Sequence, residues 1–187
     1  MILYVVPAVV VLAVAALLIA AARQPDEFTV ERSTLVEAAP AIVFPFINEF
    51  RQWIAWSPWE GLDPALKRTY EGPAGGVGTS YAWEGNRQVG AGRMAIERSV
   101  PGEAVGIRLE FLRPFPATNR VDFTLVPEAG GTRVHWRMVG QRNFIMKVMG
   151  TFFSMDKMLG GTFEQGLASL KSVSERGASA PVAAGRN

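Results

Sequence analysis

The chain contains no cysteine and a single histidine in 187 residues. Without cysteine there are no disulfides, thiolate metal sites or cysteine nucleophiles, although the compartment stays undecided. One histidine rules out a histidine-based metal cluster within one chain. Charge is also scarce: the formal net charge is +2, with acids and bases interspersed. No basic patch recommends nucleic acid, despite a pI near 9.2. The sequence also lacks a G-x-S-x-G elbow, a metal-ligand spacing and an internal repeat.

One long hydrophobic run stands out. From Ile2 to Ala22 every residue is apolar apart from the Tyr4 hydroxyl, and about 20 such residues as helix span a bilayer's core. The run predicts a transmembrane anchor over residues 1–23, with Tyr4 at an interface and Pro7 early enough to be tolerated. Ala20-Ala21-Ala22 also resembles a cleavage site, so export after signal-peptide cleavage is the rival. Against that rival, the run lacks a basic n-region and exceeds the usual h-region. Arg23 and Arg32 follow the run and no basic residue precedes it, so the positive-inside bias puts a single-pass inner-membrane protein's domain in the cytoplasm. Residues 24–27 read as a hinge.

Beyond the hinge, Phe28–Glu37 reads as a first strand. Arg32 lies on its apolar face, reaching solvent at a strand end or pointing into a cavity. Pro40 is set for the first turn of a helix carrying Ile42, Val43, Phe46, Ile47 and Phe50. A short second helix holds Trp53 and Trp56 and ends at Ser57-Pro58. Trp53, Trp56 and Trp59 either plug the core or form an aromatic lip to a pocket, with Glu60 and Asp63 near its rim. Six further segments alternate as strands: 67–71, 79–85, 92–98, 104–112, 118–126 and 132–139, joined by short turns. Such alternation gives an antiparallel sheet with one solvated face. Last comes an amphipathic stretch, Asn143–Arg176, with Ile145, Met149, Phe152, Leu159, Phe163, Leu167 and Leu170 on one stripe. As one helix it would be about 50 Å long. Asp156 interrupts the stripe, as do Gly150, Gly160, Gly161 and Gly166. Either the helix breaks at Gly160-Gly161 and Asp156 caps a turn, or glycines allow close approach and Asp156 faces a cavity. The tail, 177–187, has no periodic face and reads as disordered.

The order β-α-α, six strands and a closing helix resembles the helix-grip fold of the START-like (SRPBCC) superfamily, polyketide cyclase/dehydrase type. The residues carrying the likeness are Ala39-Pro40-Ala41-Ile42-Val43-Phe44, Asn48, Phe50, Trp53, Trp56-Ser57-Pro58-Trp59, Gly76-Val77-Gly78, Tyr81 to Asn86, Gly92-Arg93-Met94 and Phe163 to Lys171. The likeness runs from about Phe28 to Arg176. It implies an α+β domain over 28–176, with about seven curved antiparallel strands around a long C-terminal helix. It also implies an apolar cavity between sheet and helix.

The leading expectation is therefore a membrane-anchored binding protein for a hydrophobic small molecule, such as a lipid, a quinone or a polyketide-like compound, with no cofactor and no metal. The expected ligand-binding residues are Trp53, Trp56, Trp59, Tyr70, Tyr81, Trp83, Phe111, Asn119, Met149, Phe152, Asp156 and Phe163. Met146, Met149, Met155 and Met158 would form an adaptable wall, or simply a loose core. The competing class is a cyclase or dehydratase, which the poverty of acid-base groups opposes. His135 alternates to solvent, which leaves Asp156 as its one candidate catalytic residue; Asp156 could equally pair with Arg32 or Tyr81. A third class is an interaction module with a full core.

Overall fold

The computed structural model describes residues 2–151 and 154–179, the side chains of 2–6 and 8 excepted. Helix α1 (Ile2–Ala22) leads into β1 (Glu27–Val36), α2 (Pro40–Asn48) and a 3-10 turn (Phe50–Ala55). Strands β2 (Lys67–Glu71), β3 (Ser80–Glu84), β4 (Ala91–Val100), β5 (Ala104–Arg113), β6 (Ala117–Glu128) and β7 (Gly131–Gln141) follow. Helices α3 (Phe144–Gly150) and α4 (Met155–Ser179) close the chain. All seven strands form one antiparallel sheet in the order β1-β7-β6-β5-β4-β3-β2. The first strand thus pairs with the last, so both edges of the meander belong to early strands.

Period-two alternation sets which side chains face α4, and the strand registers align them in rows. One row runs Phe28, Gly140, Asn119, Leu109, Met94, Tyr81, Tyr70 from edge to edge. The neighbouring row carries Arg68, Trp83, Gly92, Phe111 and Ala117. Register shifts at Ala91/Gly92 and Ile96/Arg98 mark bulges in β4, which bend a sheet locally. The bend lets the sheet wrap α4, whose Phe163, Leu167 and Leu170 are buried against it.

The closing stretch departs from the single helix expected over 143–176. Helix α3 ends at Gly150 and α4 begins at Met155, and Gly160-Gly161 lie inside an unbroken α4. Asn143 caps α3, its side chain accepting from the Met146 N–H at 2.8 Å. Separated from α4, α3 packs on α1. Its Ile145 and Met149 are therefore exposed, off the stripe that sequence spacing drew through them. Two of the interior glycines do permit close approach. A Cβ at Gly160 would overlap the Arg32 guanidinium, and one at Gly166 would lie 2.7 Å from Trp136 Cζ3. At Gly161 there is open space. Helix α4 extends to Ser179, so the first three residues of the expected disordered tail are helical; 180–187 lie outside the described residues.

The supposed hinge is tied down. Asp26 pairs with the buried Lys147 of α3 at 2.5 Å, its backbone carbonyl accepts from the Arg142 N–H, and Gln24 donates to Thr151 Oγ1 at 3.1 Å. Glu27 already belongs to β1. Among the described residues no helix is long and apolar enough to cross a membrane. Tyr4 lies outside the described side chains.

Candidate functional site

The inner face divides into two ends. At one, aromatic side chains fill the space between sheet and α4. Trp136 lies between Phe163 (centroids 4.2 Å apart) and Phe123 (5.1 Å), both stacked on it. Trp56 meets Trp136 and Phe123 edge-on, and Trp53 meets Phe123 and Phe50 the same way. Trp53 and Trp56 are buried, and their N–H groups donate to the carbonyls of Ile47 (3.0 Å) and Phe46 (2.8 Å). Those bonds meet the requirement that a buried indole N–H find an acceptor. These two tryptophans are a plug, as one of the two sequence readings had it.

The other end lies where β7 passes toward α3. There Tyr70, Trp83, Leu109 and Phe111 of the inner rows are only half-buried, and Met146 of α3 and Met155 and Leu159 of α4 are half-buried as well. Trp59 is also half-buried, but it meets Trp136 and Phe163 of the packed end edge-on. Below them Tyr81, Met94 and Asn119 are buried. Gly92 creates the room for Trp83, because a Cβ there would overlap the indole ring. Asn119 Nδ2 has the Met138 thioether as its partner, at 3.7 Å.

A polar cluster sits at the β2–β3 side of this end. The Glu60 side chain, 7% exposed, accepts from the Tyr81 hydroxyl through Oε1 at 2.7 Å and from Arg68 Nε through Oε2 at 2.7 Å. Arg68 also donates to the Glu60 and Leu66 carbonyls. Tyr70 stacks on Tyr81 with ring centroids 5.0 Å apart, and the Arg51 guanidinium covers its other side at 4.4 Å. Burial, then the bond to Glu60, pushes the Tyr81 phenol well above its ordinary value; burial does the same, less strongly, for Tyr70. Glu60 raises Arg68 further. Both phenols therefore stay protonated through the physiological range. A cleft of about 240 Å³ opens between Phe50, Arg51, Tyr70 and the Gly72–Ala74 backbone.

Of the expected site residues, Tyr70, Tyr81, Trp83, Phe111 and Asn119 lie on the two inner rows at the half-buried end, while Trp53, Trp56, Trp59 and Phe163 belong to the packed end. Met149, 57% exposed, is on neither, and Phe152 lies outside the described residues. Asp156 does not face a cavity. Its side chain is 47% exposed and pairs with Arg32 at 2.7 Å, while Arg32 Nε reaches Glu164 at 2.8 Å. Arg32 lowers the Asp156 pKa below the usual carboxylate range. A carboxylate held ionised in this way is poorly suited to act as a proton donor. His135 is on the outer face, 3.8 Å from Glu31, in a shallow solvent-side groove shared with Arg98, Arg120 and Arg137. Sequence reading placed Glu60 on a rim but not in a site, and it passed over Arg51 and Arg68. The available signal was Arg68 itself, two residues before Tyr70 and so on the same strand face.

A curved seven-stranded antiparallel sheet with a long C-terminal helix packed on it is the helix-grip arrangement. Residues 27–175 match the family described as "Polyketide cyclase / dehydrase and lipid transport", and the chain belongs to that family. Among curated proteins none matches the sequence. Solved structures share the fold at low identity. Protein CV1439 from Chromobacterium violaceum is 16% identical, with a TM-score of 0.57, covering 81% of this chain and 99% of its own. The Aha1 dimer from Colwellia psychrerythraea gives 16%, 0.57, 80% and 98%. The di-domain ARO/CYC StfQ from the steffimycin biosynthetic pathway gives 14%, 0.61, 82% and 53%, so this chain spans about half of it.

Proposed function

We propose that the chain binds a hydrophobic small molecule, such as a lipid, a quinone or a polyketide-like compound, at the half-buried end of its inner face. The observation that carries this reading is the contrast within one face: Trp83, Leu109 and Phe111 keep exposed area beside a buried polar cluster, while Val121, Phe123 and Trp136 do not. Binding sites for such molecules are mostly apolar with a few placed polar groups. The family description, which names lipid transport as well as cyclase and dehydrase activity, supports the same reading. Native mass spectrometry of the detergent-solubilised full chain, followed by solvent extraction, tests it. A co-purifying apolar molecule of defined mass is expected, and repeated recovery of empty protein counts against it.

A second reading, a cyclase or dehydratase, draws on the family description and on the likeness to StfQ. With Asp156 held by Arg32, its acid-base chemistry would fall to the Glu60 and Tyr81 pair. Loss of turnover in both Glu60→Gln and Tyr81→Phe, with the fold retained, would favour it. We further infer that the apolar run Ile2–Ala22 anchors the domain to the inner membrane with the domain in the cytoplasm. The continuous apolarity of the sequence and Arg23 behind it support this. Reporter fusions after Asn187 test it, and a periplasmic signal would overturn the sidedness.

A further inference from the structure

Each polar group of the cluster at the β2–β3 side has a partner except one. The Tyr81 hydroxyl and Arg68 Nε each bond a Glu60 oxygen at 2.7 Å. The Tyr70 hydroxyl is buried and bonds to nothing among the described residues. It sits on the row that continues through Tyr81 and Met94 to the half-buried Leu109 and the buried Asn119. Its ring cannot swing freely, being held between Tyr81 and the Arg51 guanidinium. Buried hydroxyls are normally paired, and one without a partner in a native protein needs a reason. Packing alone gives none here, since phenylalanine would stack on Tyr81 equally well without a stranded hydroxyl.

We propose that the Tyr70 hydroxyl is the hydrogen-bonding contact of the bound molecule. The ligand class is then an apolar skeleton bearing an oxygen acceptor, a carbonyl or a carboxylate oxygen. Its oxygen accepts from Tyr70 Oη, and its carbon body lies in the cleft of about 240 Å³ that Tyr70 lines with Phe50, Arg51 and Gly72 to Ala74. The phenol stays protonated through the physiological range, so it is available as a donor at neutral pH. Glu60 and Arg68 hold Tyr81 in place beneath the Tyr70 ring and are positioning residues. This inference rests on the binding reading above and adds to it which atom of the ligand is read.

Menadione and 2-methylnaphthalene test it, because they share a carbon skeleton and differ by two carbonyl oxygens. Calorimetric titration of the full chain in detergent is done with each probe, for wild type and for Tyr70→Phe. Partition into micelles cancels in the ratio of wild type to variant. Wild type is expected to prefer menadione. The substitution should weaken menadione binding by about tenfold, the effect of one lost hydrogen bond, and leave 2-methylnaphthalene unchanged with no fall in thermal midpoint. A menadione affinity unaltered by Tyr70→Phe overturns the assignment while leaving the pocket intact; an orphan hydroxyl satisfied by a trapped water would give this result. Failure of wild type to bind either probe defeats the pocket and the assignment together. A measurement on the unsubstituted chain guards against misfolding of the variant. The chain has three tyrosines, so ring-carbon labelling gives three signals, and menadione should shift that of Tyr70. A Tyr70 signal unmoved at saturating menadione overturns the proposal.

Discussion

The two ends of the inner face are built from the same residue types on the same strands, yet one is closed and the other is not. At the closed end, Trp53, Trp56, Phe123, Trp136 and Phe163 cover one another with stacked and edge-on contacts, and the buried Trp136 N–H bonds to nothing among the described residues. At the open end Tyr70, Trp83, Leu109 and Phe111 stay half-buried, and a charged cluster lies beside them. Aromatic content therefore does not mark a binding site in this fold. What marks one is aromatic surface that the protein leaves unmatched, beside polar groups it has paid to bury.

That comparison can be broken most forcefully at the closed end. Trp136→Ala should destabilise the fold by about 3–5 kcal/mol, the usual range for deleting a large buried aromatic, as read by denaturant unfolding. A loss below about 1 kcal/mol would mean that the closed end is not closed. Gly166→Val should cost about 1–3 kcal/mol, because the added carbons meet Trp136 and the Pro58 ring; a wild-type midpoint would show that α4 can lift off the sheet. Glu60→Gln should cost a similar or smaller amount, about 1–3 kcal/mol, by weakening the charge-assisted bond from Arg68. It sharpens the comparison by asking how far the open end depends on its polar support. Leu109→Ala, at the open end, should cost only about 1 kcal/mol or less while reducing affinity for an apolar ligand; the reverse pattern would make Leu109 ordinary core.

Two pH dependences follow from the same contrast. Tyr81 keeps its proton in the folded state above the value near 10 at which the unfolded chain loses it. The unfolded state therefore binds fewer protons in that window, and stability should fall as pH rises beyond about 10. The fall should be shallower in Tyr81→Phe, as thermal melts between pH 8 and 11 would show. Asp156 has the opposite sign. Its lowered pKa stabilises the fold above the ordinary carboxylate range, and that stabilisation is lost on acidification. The small deficit of Asp156→Asn at neutral pH should vanish at low pH; a deficit constant with pH would mean that the Arg32 pair contributes nothing.

Much of the fold was legible because its signals are periodic. Strands β4 to β7 alternate so cleanly that the inward residues Val105, Ile107, Val121, Phe123, Val134 and Trp136 follow from spacing, and all are buried. The break between α3 and α4 was not legible. Gly160 and Gly161 look like helix breakers by propensity, but tertiary packing overrides that cost: Gly160 accommodates the Arg32 guanidinium and the helix continues. The site was half legible. Alternation put Tyr70, Tyr81, Trp83 and Phe111 on the inner face, but it cannot say which inward aromatics find partners, since that depends on segments far apart in sequence. Glu60 and Tyr81, 21 residues apart, meet only because the loop after Trp59 folds back over β3.

The central claim is that an apolar molecule sits at the open end. Photolabelling the full chain with a diazirine-bearing fatty acid, followed by peptide mapping, tests it most directly. Adducts are expected on peptides carrying Trp83, Leu109 and Phe111, and competition with unlabelled fatty acid should remove them. Adducts confined to α1 or to the outer face of the sheet would contradict it.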